Sequence, residues 1–155
     1  MIVSSHRPLY CGEVSGPDYK NGLYHAAILD AVFRQHGVNL YVAGHYHSYE
    51  RTCPMSDGVC LGDWSQPRAV AHVTVGTAGI ATDLADWSDP PWSVLHVDPA
   101  YGYGWLTVCN ATALRWRYVN VTLEGAETVL DDAWLHQLDL SSDTGSAAGA
   151  RDRQK

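Results

Sequence analysis

The stretch VNLYVAGHYHSYER, from Val38 to Arg51, carries the clearest structural signal in the chain. It opens with an apolar run of strand length, of the kind that is buried in parallel sheets, and Gly44 ends that run. Two histidines, His45 and His47, follow at once. Because imidazole is the commonest protein ligand for zinc and iron-type ions, the pair raises the question of metal binding.

The segment before this stretch makes it the second strand of a βαβ unit. IVSS, residues 2–5, is a short apolar run that His6-Arg7-Pro8 ends. The periodicity of LYHAAILDAVFRQHG predicts an amphipathic helix, with Gly37 at its C′ position. We expect its core face to consist of Leu23, Ala27, Ile28, Ala31, Val32 and Gln35.

The βαβ unit has a consequence for the histidines. In a right-handed unit the loops after both parallel strands emerge at one edge of the sheet, where the ligand sites of α/β proteins form. His6 follows the first strand, and His45 and His47 follow the second. The sequence therefore predicts three histidines at one edge, the arrangement of a metal site.

Composition restricts the remaining possibilities. The 155 residues suffice for one domain or a large fragment, and 46% hydrophobic with 17% charged residues indicates a globular chain. A net charge of −7 without a basic face argues against nucleic acid as a partner. The apolar runs are too short for a transmembrane helix, and MIVSSHRPLY lacks the features of a secretory signal. We expect Met1 to be either the true start or the first residue of a C-terminal fragment.

The cysteines and two sequons concern the cellular compartment. Cys53 and Cys60 flank the loop CPMSDGVC, which suits a local disulfide; reduced, partly buried thiols are the alternative. The sequons at Asn110 and Asn120 are predicted glycosylation sites and, together with the cysteines, favour a secretory parent protein.

The second half of the chain is predicted to be rich in strands. AVAHVTVGTAG predicts a strand that ends in a glycine turn, and WSDPPWSVLHVDPAYGYGW predicts an ordered loop. WLTVCNATALRWRYVNVTL predicts a hairpin of two alternating strands. Residues 140–155 form a polar tail of small residues that we expect to be disordered.

Taken together, these motifs resemble a known family. HRPLYC and GHYHSYER, on successive strands across one helix, resemble the C-terminal motifs of the purple acid phosphatases, secreted members of the calcineurin-like metallophosphoesterase superfamily. VTVGTAG, PPWSV and YGYGWLTVCNATALRWRYV extend the resemblance over roughly residues 2–135. It implies an α/β fold, namely the C-terminal half of an αββα sandwich plus a β-rich C-terminal extension. The divisions are 1–55 for the metallophosphoesterase part, 68–135 for the purple acid phosphatase C-terminal region, and 140–155 for the tail.

The resemblance also implies a chemistry. His6 and His45 match ligands of a divalent ion (zinc, manganese or iron), and His47 matches a ligand of ferric iron. In the complete family enzymes the two metals bind a phosphate monoester and activate water for its hydrolysis. Three motifs that supply the bridging aspartate, a tyrosinate and an asparagine ligand are absent from this sequence. The isolated chain is therefore predicted to be inactive, and no general acid is assigned. The resemblance also implies that the parent protein is secreted or lies in a lysosome-like compartment.

Two alternatives stay open at this point. The first is that the chain is an inactive truncated fragment or interaction domain that binds at most one metal. The second is that its parent is a phosphodiesterase or nucleotidase of the same superfamily. The segment 48–51 and the C-terminal extension favour the phosphatase over the latter. Arg51 is expected to pair with a carboxylate such as Glu50, and structural roles are expected for His25, His36, His72 and His96.

Overall fold

A computed structural model of the chain describes residues 1–14, 18–79 and 86–138. The predicted tail, 140–155, lies outside the described residues, and so do parts of two loops. Along the described chain the elements are β1 (Ile2–Ser4), α1 (Asp18–Gln35), β2 (Leu40–Ala43), β3 (Tyr49–Thr52), β4 (Met55–Ser56), β5 (Val59–Cys60), β6 (Ala71–Val75), β7 (Ser93–Val97), β8 (Gly102–Val108), β9 (Ala113–Val121) and β10 (Glu127–His136).

The predicted βαβ unit is present. Strands β1 and β2 pair in parallel, with Ile2 opposite Leu40, and α1 connects them. Gly37 follows the helix at φ +62°, a left-handed conformation that glycine adopts without a steric penalty. The carboxyl ends of β1 and β2 therefore lie at the same edge of the sheet.

The unit belongs to a five-stranded sheet with the order β1-β2-β6-β3-β7. Strand β6 pairs in parallel with β2, whereas β3 runs antiparallel between β6 and β7. The expectation of a loop over the whole aromatic and proline-rich stretch, residues 87–105, is therefore wrong for β7 and for the first four residues of β8. After the prolines, Ser93–Val97 is free of proline and pairs with β3 along its length.

A second sheet of three strands, in the order β10-β9-β8, covers one face of the first. The predicted hairpin is formed by β8 and β9, and the long strand β10 adds to it in antiparallel fashion. Between the sheets lies an apolar cluster that includes Leu40, Tyr49, Val73, Trp116 and Tyr118. The observed mixed α/β, strand-rich architecture agrees with the predicted fold class.

Helix α1 covers the opposite face of the five-stranded sheet, but with a different side than predicted. Leu23, Ala27, Ile28, Ala31, Val32 and Gln35 are all exposed. The buried side carries Ala26, Asp30 and Phe33. The prediction failed because Asp30 is a core residue: its carboxylate accepts hydrogen bonds from the hydroxyl of Tyr10 and from the backbone N–H of Asp57.

A small hairpin, β4 with β5, follows β3. Cys53 and Cys60 are joined by a disulfide at its base. Cys11, which is buried, and Cys109, which is exposed, are free thiols. In the part of the chain that the structure describes, no helix has the length and hydrophobicity that a membrane crossing requires.

Candidate metal centre

His6 and His45 are brought together by the ends of two parallel strands. Backbone hydrogen bonds continue past β1 and β2: Ser5 N–H donates to the carbonyl of Val42, and Gly44 N–H donates to the carbonyl of His6, both at 3.1 Å. The backbone of His6 is thereby fixed directly beside the residue that precedes His45. The parallel pairing thus produces the juxtaposition that the sequence predicted for these two residues.

The two imidazoles are in direct contact. His45 Nδ1 lies 3.1 Å from His6 Nε2, and the ring centroids are 4.9 Å apart in an edge-to-face arrangement. Arg7 Nη1 lies 3.1 Å from His45 Nε2. Since a guanidinium group can only donate, His45 Nε2 is the acceptor and the ring carries its proton on Nδ1. The result is a directed chain in which Arg7 donates to His45 and His45 donates to His6.

The backbone at His45 is strained. Its φ of +70° lies in the left-handed region, which non-glycine residues rarely adopt and which is concentrated at functional sites. The loop is held there by close packing on the end of β6. A Cβ at Gly76 would lie 1.8 Å from the carbonyl oxygen of Tyr46, and Gly76 N–H donates to the carbonyl of Ser48 at 3.1 Å. Only glycine at position 76 permits this approach.

The donor set fits a metal ion in part. Two imidazole nitrogens bound side by side to one ion at the usual 2.0–2.1 Å lie about 3 Å apart, and the His6–His45 contact has this separation. His47 is half-buried two residues further on. Within the described residues, no group of three or more His, Cys, Asp and Glu side chains could hold a metal ion. The structure thus assembles a pair of donors, and further ligands are required for a tightly bound ion.

Strand β3 fixes the loop that carries His45 and His47 on the side of the second sheet. Arg51 forms an ion pair with Asp131 of β10, so the expectation that Arg51 pairs with Glu50 is wrong. Side chains alternate along a strand, which places neighbours on opposite faces. Tyr49 shares the face of Arg51: its ring stacks on Tyr118 with centroids 4.0 Å apart, and its hydroxyl donates to Asp131 at 2.5 Å.

Glu50 fixes the loop on the other side of β3. The carboxylate is fully buried and accepts hydrogen bonds from Gly12 N–H at 2.8 Å and from the Ser93 hydroxyl at 2.6 Å. Burial raises the pKa of Glu50, and these hydrogen bonds oppose that rise only in part. Glu50 therefore connects the segment that follows His6 to both β3 and β7.

The remaining histidines have different environments. His72 of β6 is completely buried against the rings of Tyr10 and Tyr41, and neither ring nitrogen has a hydrogen-bond partner among the described residues. Burial lowers its pKa to about 3, so the ring is neutral. His96 stacks on Trp87 with centroids 4.2 Å apart. Both placements agree with structural roles.

His25, for which the sequence predicts a structural role, lies near His6. It lies on the exposed side of α1 and lines a cavity together with His6 and Arg7. A signal was available: in a βαβ unit the helix begins near the edge at which the first strand ends, so the first turns of α1 start beside His6.

Comparison with known proteins shows what this chain is similar to. Residues 69–132 match the family described as iron/zinc purple acid phosphatase-like protein C. Acid phosphatase type 7 of Mus musculus is 29% identical over 150 residues, which cover 87% of this chain and 34% of the mouse protein. Purple acid phosphatase 18 of Arabidopsis thaliana is 29% identical over 89% of this chain and 30% of its own length. The chain thus spans about a third of these relatives.

Solved structures share the fold. The purple acid phosphatase PPD1 from yellow lupin superposes with a TM-score of 0.66 at 24% identity, over 88% of this chain and 25% of the lupin chain. GAP50 of Plasmodium superposes with a TM-score of 0.60 at 19% identity, over 91% of this chain and 38% of its own. The comparisons thus show that residues 69–132 match the C-terminal region of the purple acid phosphatases, and that the chain as a whole is similar in sequence and fold to a portion of these proteins.

Proposed function

We propose that this chain supplies the C-terminal half of the dinuclear metal centre of an acid phosphatase that hydrolyses phosphate monoesters. The observation that carries the proposal is the contact between His6 and His45, whose imidazole nitrogens lie 3.1 Å apart at the edge of the parallel strands. The names of the similar mouse and Arabidopsis proteins, both acid phosphatases, support the reaction class.

In this proposal His6 Nε2 and His45 Nδ1 bind a divalent ion, and His47 binds a ferric ion. Such ions supply Lewis acidity and lower the pKa of a bound water. The chain itself provides orientation. Without an ion, Arg7 holds the His45 ring through Nε2, and the strained backbone at His45 keeps its Nδ1 directed at His6. A neutral His45 ring would bind an ion at Nδ1 only with its proton on Nε2, so the hydrogen bond from Arg7 would be lost when the ion binds.

Completion of the centre requires groups that this sequence lacks. Three neutral imidazoles carry no charge to offset two cations, so bridging carboxylates are needed for a stable pair of ions. The chain spans about a third of its curated relatives, and we propose that the complete centre forms in a protein that also contains the carboxylate motifs. The isolated 155 residues then have negligible phosphatase activity.

The second candidate is a non-catalytic member of the family. A protein named probable inactive purple acid phosphatase 1, from Arabidopsis thaliana, is 32% identical over 97 residues, 58% of this chain and 15% of its own length. In that case the fold is retained for interaction, and at most one ion binds. Metal binding by the histidine pair is therefore the property to measure first.

The test is a Zn²⁺ titration of the 155-residue chain, followed through the imidazole signals in NMR spectra. The signals of His6 and His45 should shift together with one shared affinity, and His45→Ala should abolish both responses. His36→Ala is the matched control, since His36 is exposed and lies just after α1. A Zn²⁺ response confined to histidines other than His6 and His45 would contradict the proposal.

Catalysis is tested separately with p-nitrophenyl phosphate. Negligible turnover by the metal-treated chain is expected. Robust turnover that disappears in His45→Ala would show that the centre does not need additional carboxylates, and would refute that part of the proposal. A preference for bis(p-nitrophenyl) phosphate over the monoester would instead support the phosphodiesterase alternative.

We also propose a secretory or lysosome-like location for the parent protein. Asn110 is exposed at the turn between β8 and β9, where its Oδ1 accepts hydrogen bonds from the N–H and hydroxyl of Thr112. Asn120 is half-buried within β9. Expression in a secretory eukaryotic host should yield a glycan at Asn110 that Asn110→Gln removes, as a mass measurement will show. An unglycosylated secreted product would contradict the assignment of this sequon.

A further inference from the structure

An apolar stripe runs along the exposed side of α1. It consists of six exposed residues that follow the spacing of one helix face, namely Leu23, Tyr24, Ala27, Ile28, Ala31 and Val32. The exposed fraction is 68% for Tyr24 and 51% for Ile28, and the uncharged Gln35 continues the same face. A contiguous exposed apolar surface of this kind marks an interaction site in a soluble protein.

This α1 stripe lies on the outer surface of the molecule. The three-stranded sheet, the five-stranded sheet and α1 form successive layers, and α1 contacts the five-stranded sheet through Ala26 and Phe33. Since successive residues of a helix are turned by about 100°, these two residues lie opposite the centre of the stripe. A surface that covers the stripe therefore lies outside the described part of this chain.

The charge of the stripe restricts its partner. None of its residues is charged, so a charged side chain buried against it would lose its water without gaining a counter-charge. The partner surface must therefore be apolar and uncharged as well. Elsewhere among the described residues, the half-exposed Trp105 and Trp134 lie beneath the guanidinium groups of Arg117 and Arg115. The α1 stripe of a second copy is thus the matching surface that this chain itself offers.

The spacing within the stripe is that of a coiled-coil seam. Tyr24, Ile28, Ala31 and Gln35 are four, three and four residues apart, which corresponds to the heptad positions d, a, d and a. In an antiparallel pair, position a of one helix faces position d of the other. Ile28 then faces Ala31 of the second copy, and Tyr24 faces Gln35. Each large side chain meets a smaller or polar one, so the two stripes are complementary in shape.

A parallel pair lacks this complementarity. It places Ile28 against Ile28 and Ala31 against Ala31, so that bulk meets bulk in one layer and a gap forms in the next. It also brings together the two copies of Lys20, which is exposed just before the stripe, and like charges at this distance repel. The antiparallel pair avoids both problems and has the two-fold symmetry of a closed dimer.

We propose that the α1 stripe is the interface of an antiparallel homodimer of this chain, in which Ile28 of each copy packs on Ala31 of the other. The dimer does not depend on the proposed phosphatase function, because none of the proposed metal ligands belongs to the stripe. Only one helix of each copy takes part, so the contact area is small. The dissociation constant is therefore expected to be on the order of 10–100 μM.

The test is sedimentation equilibrium of the 155-residue chain at concentrations on both sides of this value. The average mass should rise from that of a monomer towards twice that mass. Ile28→Lys should weaken the association at least about ten-fold, because the dimer would bury a charge without a counter-charge. Ile28 is exposed in the monomer, so the midpoint of urea denaturation should not change. Leu123→Lys is the matched control, since Leu123 is 87% exposed and lies outside the stripe.

A double variant tests the register of the two helices. The antiparallel register brings the charges introduced by Ile28→Lys and Ala31→Glu together across the interface. The double variant should therefore associate at least about five-fold more tightly than Ile28→Lys alone.

Three results would overturn the proposal. A monomer at every concentration would mean that the stripe serves another protein or another part of the parent protein. An association that Ile28→Lys leaves unchanged would place the interface elsewhere, for example at an edge strand. A double variant that associates no more tightly than Ile28→Lys would exclude the antiparallel register.

Discussion

Arg51 of β3 donates two hydrogen bonds to the carboxylate of Asp131 on β10, from Nε at 2.6 Å and from Nη2 at 3.0 Å. The side chains are 14% and 5% exposed, so the ion pair lies within the interface between the two sheets. The strand that follows the candidate metal ligands is therefore attached to a strand that lies eighty residues further along the chain.

Removal of this ion pair should destabilise the protein. Asp131→Asn keeps the shape of the side chain but leaves the largely buried guanidinium of Arg51 without its counter-charge, which costs about 3 kcal/mol in the free energy of unfolding. Urea denaturation measures the loss. The adjacent Asp132 pairs with Arg115 on the exposed side of the sheet, so Asp132→Asn should have a much smaller effect. Equal losses in the free energy of unfolding for the two variants would show that burial does not determine how much the Arg51–Asp131 ion pair stabilises the protein.

Tyr41→Phe should loosen the histidine pair without unfolding the chain. The substitution removes only the hydroxyl that donates to the carbonyl of Arg7, and costs about 1–2 kcal/mol of stability. In ¹⁵N spectra the Nδ1 proton of His45 should exchange faster with water. Tyr118→Phe is the control, because its buried hydroxyl bonds to Thr77 on the opposite side of the sheet. An unchanged His45 signal in Tyr41→Phe would argue against a positioning role.

His72 should make the fold sensitive to acid. In the unfolded chain its pKa is near 6.5, and in the native state it is about 3, so between these values only the unfolded state binds the proton. Stability is lost as the pH falls below about 6.5, by about 1.4 kcal/mol for each pH unit. His72→Leu has a similar volume and should flatten this dependence in urea denaturation between pH 4 and pH 7. A slope that persists in the variant would assign the effect to other groups.

Glu50 should make the stability of the fold change with pH in the direction opposite to His72. Its native pKa is raised above the ordinary 4.5, so just above pH 4.5 the folded state keeps a proton that the unfolded state has released. Its contribution to stability is complete below pH 4.5 and falls as the pH rises towards the native pKa. Glu50→Gln mimics the protonated acid and should be more stable than wild type at pH 7, with little difference at pH 4. Glu124→Gln, at an exposed site, controls for net charge.

The βαβ unit and the histidine pair were predictable from the sequence because both depend on local features. An apolar run, a helical period and a proline fix the strand ends, and the handedness of the connection then brings His6 to His45. Strand β10 was not predicted, although it supplies Asp131. Its segment, Glu127–His136, carries two adjacent carboxylates and lacks a clean alternation, since a bulge between Val129 and Asp131 shifts the register.

The buried side of α1 was not predictable from periodicity. Apolar residues occur on both sides of the helix, and the period alone does not indicate which side faces the sheet. The side of α1 that faces the sheet depends on Asp30. Its burial is possible only because Tyr10 and the backbone of Asp57 approach it from distant segments. The pairing of Arg51 was predictable in part: neighbours on a strand point to opposite faces, which excludes Glu50.

The alternation in β3 also limits where the chain tolerates insertions and deletions. Tyr49 and Arg51 form hydrogen bonds with the second sheet, and Glu50 accepts a hydrogen bond from the loop that follows His6. One extra residue between His47 and Tyr49 would move each side chain one position along β3, so that Glu50 would take the place of Arg51 opposite Asp131 and Tyr49 would take the place of Glu50 beside Gly12. The four-residue spacing from His47 to Arg51 is therefore fixed by both faces of β3, and we expect insertions and deletions to be tolerated only in the turns that lie beyond it.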